Sequence, residues 1–231
     1  MVIVLLFSRP PGRLLPDPFD NVEFTLNILC FHTAASNIAI FDDAAAALGR
    51  DNPPLNHLVM PALLAEAERS GGMTATLRRR IAQLIETVVP QFDAVLITCS
   101  TLAPVADDFN EQDRVMRTDA MLAQALQRQT GRTVALCAAE STLAATRALF
   151  CQPGTQVEVA LVEGAWAAFK AGDVTRYFAL IAAATGQAYE QGAVAVALAQ
   201  SSMTPAAQHF PDRQRPLTGP YLALQACYDL R

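Results

Sequence analysis

Of the 231 residues, 52% are hydrophobic, 17% charged and 7% aromatic, a balance that excludes a disordered chain and lets folding bury about three quarters of the unfolded surface. The formal net charge of −5 and a pI near 5.2 leave no basic footprint for nucleic acid. An acidic substrate must therefore be held by local donors, not by the global field. The opening run Met1–Phe7 is apolar but lacks a basic flank and is cut short by Pro10 and Pro11. It is too brief for a membrane span or a signal segment. The proline-rich stretch that follows makes residues 1–25 an appendage ahead of the main fold.

From Leu26 the chain alternates short apolar runs with helical patterns. Strands are predicted over Leu26–His32, Leu55–Met60, Ala94–Thr98, Thr133–Cys137, Val157–Val162 and Val194–Ala199. Helices are predicted from Asn37 to Leu48, behind Ser36 as N-cap and ahead of Gly49, then over Thr76–Val89, Asp113–Gln129, Thr142–Leu149, Val174–Glu190 behind Asp173, and Tyr221–Leu230. Strands alternating with helices give an α/β architecture with parallel sheets covered on both faces.

The most informative signal is internal. When Phe92–Phe109 is set against the segment 101 residues later, Ala94, Val95, Ser100, Pro104, Ala106 and Phe109 fall on Ala195, Val196, Ser201, Pro205, Ala207 and Phe210 without a gap. Chance gives about one or two matches in such an Ala-rich window, so the alignment reads as a duplication. Two similar units then face each other across a pseudo-twofold axis. The expected units are 26–118 plus 205–231, and 119–204. Ligands of parallel sheets bind beyond the carboxyl ends of the strands. The duplication gathers those ends into one cleft, formed by Thr33–Asn37, Cys99–Thr101, Glu140–Thr142 and Gln200–Ser202.

The five cysteines contain no CxxC, and His32, His57 and His209 sit in different segments. The set reads as reduced thiols of a cytoplasmic protein, not as a disulfide framework or a zinc site. Cys99 stands where a strand ends and a short helix begins. There, peptide dipoles are expected to lower its pKa and favour the thiolate, while a packing role as a small buried hydrophobe is the competing reading. Cys30, Cys137 and Cys227 read as packing residues. His32 ends the first strand within reach of the cleft, and a structural role competes there too. A CX5R phosphate loop is excluded by Val105, and no GxSxG, GxGxxG, Walker A or HExxH sequence is present.

The strand-end motifs ITCST (97–101), LAQSSM (198–203) and HTAASN (32–37), with VMRTDAM (115–121), resemble the aspartate/glutamate racemase superfamily. The resemblance spans about residues 26–220. It implies two flavodoxin-like units, an active site between them, and neither cofactor nor metal. It also implies one cysteine per half, acting on opposite faces of a substrate α-carbon. The first matches Cys99; the second position holds Gln200. An amide has no useful basicity, so two-base stereoinversion loses one partner, while Gln200 retains the capacity to orient a carboxylate or amide.

The expected function is a racemase or isomerase acting on a small amino acid or dicarboxylate. Cys99 is its acid/base or nucleophile, Gln200 an orienting group and His32 a substitute base. Thr33, Ser36, Asn37, Ser100, Thr101, Glu140, Ser141, Thr142, Ser201 and Ser202 are the expected substrate-binding set. A one-cysteine decarboxylase, or a catalytically silent carboxylate-binding protein, is the alternative. The partner is a small-molecule carboxylate, with no nucleic acid or membrane. The charge-poor surface suits a homo-oligomer.

Overall fold

The computed structural model describes residues 26–49, 55–109 and 114–229; the expected appendage at 1–25 lies outside them. Strands β1 (Ile28–His32), β2 (Asn56–Val59), β3 (Ala94–Ile97) and β4 (Val115–Arg117) form one sheet. Strands β5 (Thr133–Cys137), β6 (Val157–Leu161), β7 (Ala195–Leu198) and β8 (Leu217–Thr218) form another. The orders are β2-β1-β3-β4 and β6-β5-β7-β8, and every pairing is parallel. Each position of the first sheet thus has a counterpart in the second, as a duplication requires.

Strand alternation places both faces of each sheet in a core. In the first sheet, Leu29, Phe31, Val95 and Ile97 face α2 (Pro61–Arg69) and α3 (Ala75–Val88). Ile28, Cys30, Ala94 and Leu96 face α1 (Asn37–Ala47) and α8 (Gly219–Tyr228). In the second sheet, Val134, Leu136, Val196 and Leu198 meet α6 (Ala165–Lys170) and α7 (Val174–Glu190). Its other face takes α4 (Thr118–Gln127) and α5 (Leu143–Phe150). The chain crosses over in each half: β4 pairs in the first sheet while α4 packs on the second, and β8 pairs in the second sheet while α8 packs on the first.

Local sequence explains most of these elements. Asp173 accepts from the Arg176 amide at 3.0 Å and starts α7, and Gly49 follows α1 in the left-handed region at φ 62°. Ser36 does not cap α1: its backbone is already helical and its side chain makes no cap bond. The helix expected to begin at Asp113 begins instead at Thr118. Residues 115–117 are drawn into a short strand by pairing with Val95–Ile97, and Val115 is buried there. Among the described residues no helix is long and apolar enough to cross a membrane.

Candidate active site

The ends of β3 and β7 meet between the two units through a reciprocal pair of bonds. Ser100 Oγ donates to the Ala199 carbonyl at 2.9 Å, and Ser201 Oγ donates to the Thr98 carbonyl at 3.2 Å. The partners are related by the same 101-residue shift as the sequence repeat. Beside this seam lies a cavity of about 30 Å³, room for roughly two water molecules. Both Cys99 and Gln200 line it, as the duplication predicted. Trp166 and Phe169 of α6 and Leu64 of α2 line the same cavity, which is smaller than a carboxylate substrate.

Cys99 is 9% exposed. Hydrogen bonding from the Thr33 hydroxyl, the backbone N–H groups of Leu102 and Thr101, and the Thr101 hydroxyl favours its thiolate. Burial outweighs these bonds and pushes the thiol above its ordinary pKa. This corrects the sequence expectation: oriented donors surround the sulfur, but dehydration wins and the resting group is the neutral thiol. Gln200 occupies the matching position in the second unit and behaves differently. Its Oε1 accepts from the Ala138 and Ala139 amides at 2.5 and 3.0 Å, filling the backbone donor pair just past β5. Its Nε2 donates to no protein atom among the described residues.

Thr33, Asn37, Cys99, Ser100, Thr101, Thr142, Gln200, Ser201 and Ser202 all reach this cavity. Most of their hydroxyl protons are already engaged. Ser100 and Ser201 tie the two units, Thr142 donates to the Ala139 carbonyl at 2.7 Å, and Ser202 pairs with the Tyr177 hydroxyl at 2.9 Å. Asn37 lines the cavity too, and its buried Oδ1 has no hydrogen-bond partner among the described residues. Glu140 and Ser141 line an outer pocket with Glu68 and Lys170, although Ser141 also lies 3.5 Å from Thr101 Oγ1. Ser36 is exposed and lines neither.

His32 is fully buried and lines neither pocket. Its Nδ1 lies 2.7 Å from Thr98 Oγ1 and its Nε2 lies 2.9 Å from His57 Nδ1. Burial, reinforced by His57, lowers its pKa to about 4, so the ring is neutral at neutral pH.

The sequence reading missed Trp166. This residue belongs to both pockets and its Nε1 donates to Glu68 Oε1 on α2, joining the units across the cavity mouth. It stacks on Phe169 with ring centroids 4.9 Å apart. As the chain's single tryptophan it carried a signal, but the six-residue helix around it is too short to show a period.

No protein-family model and no curated protein matches the sequence. The fold, however, is shared with solved racemases. Glutamate racemase from Francisella tularensis, solved with D-glutamate, superposes with a TM-score of 0.64 at 14% identity, over 89% of this chain and 80% of that one. Aspartate racemase of Picrophilus torridus gives 0.65 at 11% identity, over 87% and 94%. Allantoin racemase from Pseudomonas fluorescens gives 0.59 at 13% identity, over 89% and 90%.

Proposed function

We propose that the protein is an enzyme of the aspartate/glutamate racemase type that acts on a small amino acid or carboxylate, with Cys99 as its single acid/base group. The observation that carries this reading is the placement of Cys99: a strand-end thiol on the cavity between the units, with four hydrogen-bonding groups around its sulfur. As thiolate it takes the proton α to a carboxylate and leaves an enolate; as thiol it returns a proton to the same face. Gln200 cannot serve the opposite face, so the expected chemistry is one-faced.

Binding rests on neutral groups, since among the described residues none that lines the inner cavity carries a charge. Gln200 Nε2 is the donor offered to a substrate carboxylate. Asn37 Oδ1, a buried acceptor without a donor, fits an ammonium or amide N–H and favours a nitrogen-bearing acid. Such a ligand is larger than the inner cavity and would extend past Trp166, which also lines the outer pocket.

Decarboxylation is the second reading, favoured by the resting state of Cys99. A neutral thiol is ready to protonate the enolate left when CO2 departs, and that reaction needs acid on one face only.

The test is NMR of the purified protein in D2O with amino acids, hydantoins, malonates and maleate. Exchange of an α-proton, loss of CO2 or isomerisation, each abolished in Cys99→Ala, is the expected result. Turnover that survives Cys99→Ala would overturn the assignment.

A further inference from the structure

A second cluster lies on the face of the first sheet that packs under α1, away from the cavity wall. Cys30 and His32 share that face by strand alternation, and the parallel register sets His57 of β2 beside Cys30. One ligand atom from each of the three lies within 4.8 Å of the others. Cys30 and His32 are fully buried, and the His57 side chain is 13% exposed. Two residues of β1 and one of β2, 25 and 27 positions further on, thus form a compact sulfur–nitrogen–nitrogen set.

The outer hydrogen bonds fix what the inner atoms offer. Thr98 Oγ1 gives its one proton to the Phe31 carbonyl at 3.0 Å, so it accepts from His32 Nδ1 at 2.7 Å. That leaves the lone pair of a neutral His32 on Nε2. At the other end, Asp42 Oδ1 lies 3.1 Å from His57 Nε2. A carboxylate only accepts, so His57 Nε2 carries a proton toward Asp42, and Nδ1 is the nitrogen turned to His32. These two nitrogens face each other at 2.9 Å, with the Cys30 sulfur in the same cluster. A proton shared by the two rings, or a metal ion held by all three groups, would satisfy this arrangement, and the third group, the Cys30 thiol within the same 4.8 Å cluster, points to the metal.

We propose that Cys30 Sγ, His32 Nε2 and His57 Nδ1 bind one divalent metal ion of the zinc class. Imidazole with thiolate suits this ion over magnesium or calcium, which take oxygen ligands. Metal–nitrogen bonds of 2.0–2.1 Å in tetrahedral geometry place the two nitrogens roughly 3.3 Å apart, a few tenths of an ångström beyond their present separation. Binding releases the Cys30 proton to solvent. Thr98 and Asp42 already hold the far nitrogens, the arrangement that orients metal-bound histidines. Three protein ligands leave a fourth position for water. The ion ties β1 to β2 and, through His32 and Thr98, to the strand end that carries Cys99.

The test uses the full chain, stripped with a chelator and titrated with Co2+ and then Zn2+. One equivalent of Co2+ per chain with a thiolate-to-cobalt charge-transfer band, displaced by Zn2+ and retained in Cys99→Ala, is expected. Cys30→Ser removes the band. His57→Ala, an edge-strand change, weakens binding at least a hundredfold, and the surface change Asp42→Asn weakens it tenfold to a hundredfold. The proposal is overturned if the wild type binds no stoichiometric metal, which would leave a shared proton between the rings. It is equally overturned if the band persists in Cys30→Ser, or if folded Asp42→Asn and His57→Ala bind as tightly as wild type.

Discussion

The two halves place different chemistry at one structural position. In the first, the second residue past β3 is Cys99, and its sulfur draws hydrogen bonds from Thr33, Thr101 and Leu102. In the second, the second residue past β7 is Gln200, and its amide oxygen is fastened to the Ala138 and Ala139 N–H groups. One strand end presents a titratable proton, while the other uses its side chain to satisfy backbone donors next to β5. Around them the halves stay alike: the serines at 100 and 201 make the same bond in opposite directions. The seam is symmetric in its serine bonds, while the side chains at its two strand ends differ.

The largest expected effect separates the two positions directly. On the proposed function, Cys99→Ala lowers α-proton exchange by about 10²–10⁴-fold or more, whereas Gln200→Ala leaves one-faced exchange measurable in the same NMR assay. Comparable losses in both variants would break the contrast. The pH dependence sharpens it. Since burial raises the Cys99 pKa, its alkylation by iodoacetamide is slow at neutral pH and climbs above the ordinary thiol range, about pH 8.5; exposed Cys151 provides the internal reference by mass spectrometry. The folded chain holds this proton more tightly than the unfolded one. Its contribution to stability is therefore complete below that range and is lost as pH rises through the raised value.

Gln200→Cys probes the other half. It frees two buried backbone donors, at a cost of about 1–3 kcal/mol in urea unfolding, and puts a thiol on the opposite face. Racemisation detected by chiral chromatography, together with tighter carboxylate binding at the freed N–H groups, is the expected gain. Unchanged stability would show that the Gln200 bonds contribute nothing.

How much of this was legible beforehand follows from the kind of signal each feature leaves. The buried strands show as apolar runs, and the repeat at Ser100 and Ser201 survives as identities. Both are local in sequence, so the α/β fold and the meeting of Cys99 with Gln200 were readable. The commitment of the serine hydroxyls was not, because a hydroxyl that ties two units has the same letter as one that binds a ligand. Burial of Cys99 was likewise hidden: Thr101 and Leu102 donate from the local turn, but Thr33 and much of the core that buries the sulfur are distant in sequence. The proximity of His32 and His57 arises from register between β1 and β2, which no spacing rule discloses.

Gly219 tests the crossing of the two halves. It lies 101 residues after Thr118, and each residue begins the helix that crosses to the other sheet. A Cβ on Gly219 would stand 2.6 Å from Thr118 Cγ2 and 3.3 Å from the Thr118 carbonyl oxygen, so the axis has space for a side chain from one half only. Gly219→Ala is expected to cost about 1–3 kcal/mol. Adding Thr118→Ser, which deletes the nearer methyl, recovers most of the loss in thermal or urea unfolding. A neutral Gly219→Ala would mean that the helices part freely.

The smallest effects are expected where the halves are most alike. Ser100→Ala leaves the Ala199 carbonyl without its partner hydroxyl, and Ser201→Ala does the same to the Thr98 carbonyl. Each removes one neutral hydrogen bond across the seam, a loss of about 0.5–1.5 kcal/mol. Near-equal losses in urea unfolding are expected, because the two bonds occupy equivalent places about the axis. The double variant measures their coupling. If the units separate slightly once either bond is gone, the second substitution costs less than the first, and the sum of the single losses exceeds the double. Strictly additive losses would show that each serine acts alone. A large excess for Ser100→Ala, with Ser201→Ala near zero, would instead extend to the seam the asymmetry that divides Cys99 from Gln200.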